Sequence, residues 1–482
     1  MSFFKKNLLL KNTFIFAFGE MLPKLLSFLL LPVYLSYFSP SDYGIIGYTN
    51  AISSFLPTLI TLSLASFLIR NYFETNEDLI RKMLIGNIFV FIVLSNLFFY
   101  IFGIFAFPTL ITYFKISVPW DPYLKYTFLS FFLDIFLIIP LVVYRLKRDA
   151  KTFVILNVSK VVLQYAVILF LIVNLGLGLQ GFYLGTALAL MPYSLLSFYL
   201  IYKNAVFNFN FSQIISGIKY SLPLIPSSIA YVLLTYFDRI ILEKYISLSE
   251  LGFYNLAYTL AFSLSLFISA VYKVFEPEIL SRYSSSLLFE LFITKFRNIF
   301  LFLLYVIAII LAVFIHDLFI YFVPVAYLKT SYYIPIILIS VLMSGHSIIY
   351  ASLLAAEKQT KVIGFSVIVS VIVNIILNLY LVPNFGVYGS VFASAISFML
   401  INFLYCYNVK YKGLNYTNDF LVIVIYILVI IINTVFQKIF TNYLFLLFIK
   451  FILILFSILS LLKLFKFDLS KISHLLTKKS IL

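Results

Sequence analysis

Apolar residues run through this chain in blocks of about twenty, separated by short clusters of Ser, Pro, Asn, Gly and charged residues. Blocks of that length match the roughly 30 Å of hydrocarbon that a helix crosses at about 1.5 Å per residue. Fourteen of them are expected as membrane helices, near 13–38, 43–69, 83–108, 122–144, 152–175, 179–202, 219–246, 251–275, 296–323, 332–354, 361–382, 386–408, 419–436 and 441–467. The first is too long for a signal-peptide core and lacks a small-residue cleavage site, so it is expected to stay as a helix. The connections are short, and the longest of those expected outside the cell, 109–122, is about 14 residues.

Composition fits a bilayer solvent. Of 482 residues, 63% are hydrophobic and 11% charged, against roughly 45–50% and 25% in soluble domains. The net charge of +16 raises the question of nucleic acid, and its distribution answers it. Alternate connections and the two ends hold twenty-five Lys and Arg, among them Lys5, Lys6, Lys11, Arg70, Arg81, Lys82, Arg145, Lys147, Arg148, Lys295, Arg297, Lys410, Lys412, Lys466, Lys471, Lys478 and Lys479. The intervening connections hold four, Lys115, Lys244, Lys329 and Lys438. This is the positive-inside asymmetry, which places both termini in the cytoplasm and leaves no charge surplus to explain by nucleic acid. The single cysteine, Cys406, excludes a disulfide framework and a cysteine metal site. His316, His346 and His474 are scattered, and no phosphate loop or dinucleotide fingerprint appears, so neither cofactor nor metal is expected.

The punctuation between blocks repeats. "SPSDYG" at 39–44 and "SLSELG" at 247–252 both fit a capping box, with Ser39 and Asp42 in one and Ser247 and Glu250 in the other. Pro40 suits the first helical position. The offset of 208 recurs: Asp149 and Thr152 match Glu357 and Thr360, Gly178 and Gly181 match Gly386 and Gly389, and Ala187 matches Ala395. Two related halves are expected, 1–208 and 209–416, each a six-helix lobe, followed by an additional helix pair and cytoplasmic tail at 417–482. Six crossings is an even number, so the repeat is parallel. That predicts an all-α polytopic membrane protein of about fourteen transmembrane helices, with two parallel six-helix repeats forming two lobes around a central cavity.

Three stretches, "KNTFIFAFGEMLPKLLSFLLLPVYLSYFSPSDYGIIGY", "SLPLIPSSIAYVLLTYFDRIILEKYISLSELGFYNLAYTL" and "NIILNLYLVPNFGVYGSVFASAIS", resemble the corresponding parts of bacterial polysaccharide repeat-unit flippases of the Wzx type. That family belongs to the multidrug/oligosaccharidyl-lipid/polysaccharide exporter superfamily. The resemblance implies a bacterial cytoplasmic membrane transporter rather than an enzyme. Its cargo would be undecaprenyl-diphosphate-linked oligosaccharide, as in O-antigen synthesis, moved by H+- or Na+-coupled antiport, with membrane lipids and a polysaccharide polymerase as partners.

Charges stranded inside spans are the candidates for that work, since each central one costs roughly 2.5–3.5 kcal/mol against lipid. Lys24, Lys160 and Arg239 are candidate cavity cations for the diphosphate, with Arg70 and Arg282 at the cytoplasmic entrance. Glu20, Asp134 and Asp238 are candidate ion-coupling carboxylates. Gln164 and His346 complete the polar set. Competing structural readings are an i,i+4 pair between Glu20 and Lys24, snorkelling by Arg239, Lys125 and Lys450, and an interhelical hydrogen bond for Asp134. Adjacent on a helix, Asp238 and Arg239 are expected to face apart. A multidrug exporter of the same fold would manage with twelve spans, and a polysaccharide polymerase or membrane glycosyltransferase would carry a large external loop.

Overall fold

The computed structural model describes residues 2–75, 77–223, 225–283, 287–409, 416–440 and 442–465. Lys410, Lys412, Lys466, Lys471, Lys478, Lys479 and His474 lie outside them. The described residues form helices and no strand. Among the described residues, fourteen helices are long and apolar enough to span a membrane: Phe18–Tyr37, Pro40–Glu74, Asp78–Phe114, Trp120–Leu146, Ala150–Asn174, Gly178–Asn204, Ile225–Tyr245, Leu248–Lys273, Leu288–Phe322, Thr330–Ala356, Thr360–Phe385, Val387–Asn408, Asn418–Ile439 and Tyr443–Leu464. They are called spans 1 to 14 below.

Spans 3 and 9 outrun their apolar blocks. Asp78–Phe114 is one helix of 37 residues and Leu287–Phe322 one of 36, about 54 Å long at 1.5 Å per residue. A helix satisfies its own backbone wherever it runs, so it does not stop where hydrocarbon stops. The connection expected at 109–122 shrinks accordingly: the helix passes through Pro108, and a wide turn at Trp120–Leu124 already leads into span 4.

The chain divides into two compact units, Met1–Asn255 with Ile375–Ser390, and Leu256–Asn374 with Val391–Leu482. In the first, span 2 is interrupted where Leu62 and Ser63 take left-handed φ values of 45° and 56°. At that break the Ser63 carbonyl accepts from the Ser66 amide at 3.0 Å and also from Ser221 Oγ at 3.3 Å.

The two punctuation segments meet in this unit. Ser39 and Asp42 form the reciprocal capping box with Pro40 in the first turn, and Ser247 Oγ accepts from the Glu250 amide at 3.2 Å. Behind each cap a glycine lets backbone approach backbone. A Cβ on Gly44 would lie 2.0 Å from the Leu248 carbonyl oxygen, and one on Gly252 would lie 1.8 Å from that of Pro40. One turn further, a Cβ on Gly47 would meet Asn255 Cγ at 2.6 Å. Gly44 and Gly252, Pro40 and Leu248, and Gly47 and Asn255 are all 208 apart. The contact is therefore reciprocal, as at a two-fold axis, and only glycine permits it. Further along, Gly178 and Gly386, also 208 apart, both take left-handed φ, 51° and 55°, the conformation glycine adopts at least cost.

The second unit packs span 9 against spans 10, 13 and 14 around Leu301, Leu304, Tyr305, Leu338 and Tyr426, all buried. Tyr426 donates to the Pro335 carbonyl at 2.9 Å, so its hydroxyl is satisfied inside apolar surroundings.

Candidate functional site

A cavity of about 210 Å³ opens in the first unit. Its polar lining comes from four spans: Asn50 and Ser53, then Thr127, Ser130 and Asp134, then Lys160 and Gln164, then Tyr183 and Thr186. Within each span these residues recur three, four or seven apart, which puts them on one helix face. The helices come close enough to enclose a cavity because Gly185 sits against the Ile168 backbone, 2.9 Å from where its Cβ would be. Tyr183 shares a hydrogen bond of 2.8 Å with Thr49, fixing one wall.

Lys160 and Asp134 form an ion pair across this space, Nζ to Oδ1 2.8 Å. Their side chains are 16% and 42% exposed, so the pair faces the cavity and is not sealed in the packing. Asp134 takes one of the three donors an ammonium carries, which leaves Lys160 able to bind an anion beside it. The interhelical partner weighed for Asp134 is thus another candidate, the cavity cation itself.

Span 1 borders the same helices. The amide of Asn157 in span 5 donates to the Gly19 carbonyl at 2.8 Å, and Ser27 bonds Tyr165. Glu20 pairs with Arg145 at 2.6 Å, not with Lys24. The i,i+4 pair is displaced because a guanidinium from span 4 offers the carboxylate a fork, which the lysine ammonium does not. Lys24 is exposed and has no hydrogen-bond or ion-pair partner among the described residues. It stands between Glu20 and Ser27 on one helical stripe, both of which reach spans 4 and 5.

The other candidates sit elsewhere. Asp238 and Arg239, far from facing apart, bond each other at 2.9 Å while 1% and 3% exposed. The guanidinium curls back to the Thr235 carbonyl at 2.8 Å and reaches Asn255 at 3.3 Å, and Tyr254 donates to Asp238. Snorkelling is not observed for Arg239, nor for Lys450, which is buried against Asp317. Arg70 pairs with Glu74 at 3.0 Å on the surface and lies 4.8 Å over the Tyr220 ring. Arg282 pairs with Glu278 at 2.7 Å. In the connection after span 4, burial holds the Lys147 ammonium below the usual lysine range. The sequence reading named His346 but missed the partners that make it part of a second cluster, in the other unit: Arg297, 2% exposed, pairs with Asp419, which also accepts from Tyr350. His346 Nδ1 lies 3.4 Å from that carboxylate, and its Nε2 is 3.0 Å from the Tyr305 hydroxyl.

A family model described as "Polysaccharide biosynthesis protein" matches residues 9–283. Among solved structures, the chain is similar to the lipid II flippase MurJ in an inward closed conformation, with a TM-score of 0.70 at 18% identity over 94% of this chain and 98% of that one. It is similar to an inward-facing multidrug resistance MATE family transporter of the MOP superfamily, with a TM-score of 0.61 at 10% identity over 82% and 94%. The MATE multidrug transporter DinF-BH follows at 0.56 and 17% identity over 83% and 94%. No curated protein matches the sequence.

Proposed function

Since the chain belongs to the polysaccharide biosynthesis protein family and has the transporter fold shared by flippases and MATE proteins, we propose that it flips undecaprenyl-diphosphate-linked oligosaccharide repeat units. Cargo moves from the cytoplasmic to the outer leaflet by alternating access, coupled to H+ or Na+. The observation that carries this reading is the cavity-facing pair of Lys160 and Asp134. A diphosphate crossing a low-dielectric interior needs a cation, and Lys160 supplies one that is already desolvated on one side. When phosphate takes Lys160, the Asp134 carboxylate is released from its ion pair and can bind the coupling ion. Cargo and ion binding are thereby linked through one carboxylate.

Lys24 extends the cationic path along span 1, while Arg70 and Arg282 are proposed to receive headgroups at the cytoplasmic surface. The Lys and Arg asymmetry orients both termini to the cytoplasm. The two halves 1–208 and 209–416 act as repeated lobes, and the reciprocal contact of Gly44 and Gly252 supports that repeat. A multidrug exporter is the alternative. Two spans beyond twelve favour the lipid-linked cargo.

The test is surface polysaccharide in a bacterial strain lacking its own repeat-unit flippase, normalised to protein in the membrane. The wild-type chain should restore polymer and Lys160→Gln should not. Restored drug resistance without polymer would favour the exporter.

A further inference from the structure

A second cavity, of about 320 Å³, lies in the other unit along the seam of spans 8 and 9. Phe267, Phe275, Phe292, Phe296 and Phe300 line it. The rings pair across the seam in antiparallel order, Phe275 with Phe296 at 4.1 Å between centroids and Phe267 with Phe300 at 6.2 Å. From Lys295 to Leu303 the groove descends about 12 Å along span 9 at 1.5 Å per residue. Lys295 lines one end, is exposed, and has no hydrogen-bond or ion-pair partner among the described residues. At the same end the Arg282 guanidinium stacks over the Phe292 ring at 5.1 Å.

The depth of that end follows from length. Leu287–Phe322 is 36 residues, whereas about 20 suffice to cross the hydrocarbon. The apolar block predicted from 296 onward fills the bilayer, so Lys295 falls at its edge and the phenylalanines run inward. A groove with aromatic walls in the hydrocarbon and two cations at the headgroup level is complementary to one kind of molecule. We propose that it is a binding site for an anionic glycerophospholipid of the membrane, with an acyl chain along the phenylalanines and the phosphate between Lys295 and Arg282. This goes beyond the transported cargo, shares only Arg282 with the cargo reading, and uses a different unit of the molecule from the Lys160 cavity. Glu278 already compensates the Arg282 guanidinium through its Nε at 2.7 Å, so the uncompensated charge at this end is that of Lys295, and Arg282 contributes the donors that Glu278 does not take.

The experiment uses the full chain in nanodiscs of phosphatidylcholine with a minor fraction of phosphatidylglycerol, and reads the lipids retained on release by native mass spectrometry. Wild type should retain phosphatidylglycerol in preference to phosphatidylcholine. Lys295→Gln should reduce that preference about fivefold, and Val271→Trp, which fills the groove and keeps the charges, should abolish it. Lys438→Gln, which removes an exposed cation elsewhere, should change nothing. The proposal is overturned if wild type shows no preference, if Lys295→Gln or Val271→Trp retains phosphatidylglycerol as wild type does, or if Lys438→Gln loses as much as Lys295→Gln. Unchanged thermal unfolding of each variant separates loss of the site from loss of the fold.

Discussion

Both units pair a lysine or arginine with an aspartate between membrane helices, and the two pairs are built for different ends. Arg297 and Asp419 are 2% and 14% exposed, and Tyr350 and His346 close around the same carboxylate. Lys160 and Asp134 are held by fewer neighbours, and the carboxylate is 42% exposed to a cavity lined with hydroxyls and amides. The enclosed carboxylate is already taken by Arg297, Tyr350 and His346, so the network fastens helices together and leaves Asp419 little to offer a ligand. A pair on a cavity wall keeps donors in reserve. The separation between fastening and binding is thus a matter of access, since the residue types are nearly the same.

Breaking the enclosed pair should give the largest effect. Arg297→Ala leaves Asp419 buried without its main counter-charge, a loss of about 3–5 kcal/mol in stability. Membrane abundance and thermal unfolding in detergent should both fall steeply, and an unchanged melting profile would show that the network does not fasten spans 9 and 13. Lys160→Gln should do the reverse. It costs little stability, because a solvated pair contributes about 1 kcal/mol or less. Removing a charge-assisted phosphate bond of about 1.5–3 kcal/mol should cut transport roughly ten- to hundredfold. Equal losses of abundance and transport would make Lys160 a fastener like Arg297.

The glycine crossing gives an intermediate case. Gly252→Ala places a methyl group 1.8 Å from the Pro40 carbonyl, forcing spans 2 and 8 apart at a cost of about 1–3 kcal/mol. Gly178→Ala, whose Cβ meets nothing within 4 Å, retains only the smaller strain of its left-handed backbone. Thermal unfolding should rank the first variant below the second, and the opposite order would remove the role given to close backbone approach. Lys24→Gln should have the smallest effect, about a fivefold loss of transport for an exposed ammonium, with melting unchanged. Lys24→Arg should keep part of the activity because the charge survives. If the double variant Glu20→Gln/Lys24→Gln transported fully, Lys24 would have no direct role.

The sequence carries these regions unequally. The capping boxes and matched glycines were legible because they depend on local backbone chemistry that only a few residue types supply. Asp134 and Lys160 were legible as stranded charges, and their pairing was within reach too. Both lie about the same distance from the turn near Lys147 that joins spans 4 and 5, so an antiparallel helix hairpin brings them to one depth. The hydroxyls of Thr127 and Ser130 follow the same helical stripe toward Asp134 and were passed over as ordinary polar residues. Arg145 with Glu20 and Arg297 with Asp419 were not legible. Their partners are 125 and 122 residues apart, and nothing in either segment specifies which helices become neighbours. Arg297 was read among the topology charges because charge counting does not separate a surface cation from one that the helix, by running past the hydrocarbon edge, carries into the packing.

The most direct measurement of the central claim is leaflet movement in a purified system. Vesicles containing the protein and an undecaprenyl-diphosphate-linked oligosaccharide are treated from outside with an impermeant reagent that modifies the glycan, and the protected fraction is followed in time. With wild-type protein the inner-leaflet pool should become accessible, and with Lys160→Gln it should stay protected although the protein is folded and inserted to the same extent. Equal movement by wild type and Lys160→Gln, or none by wild type under either an H+ or a Na+ gradient, would contradict the assignment of this cavity to lipid-linked oligosaccharide transport.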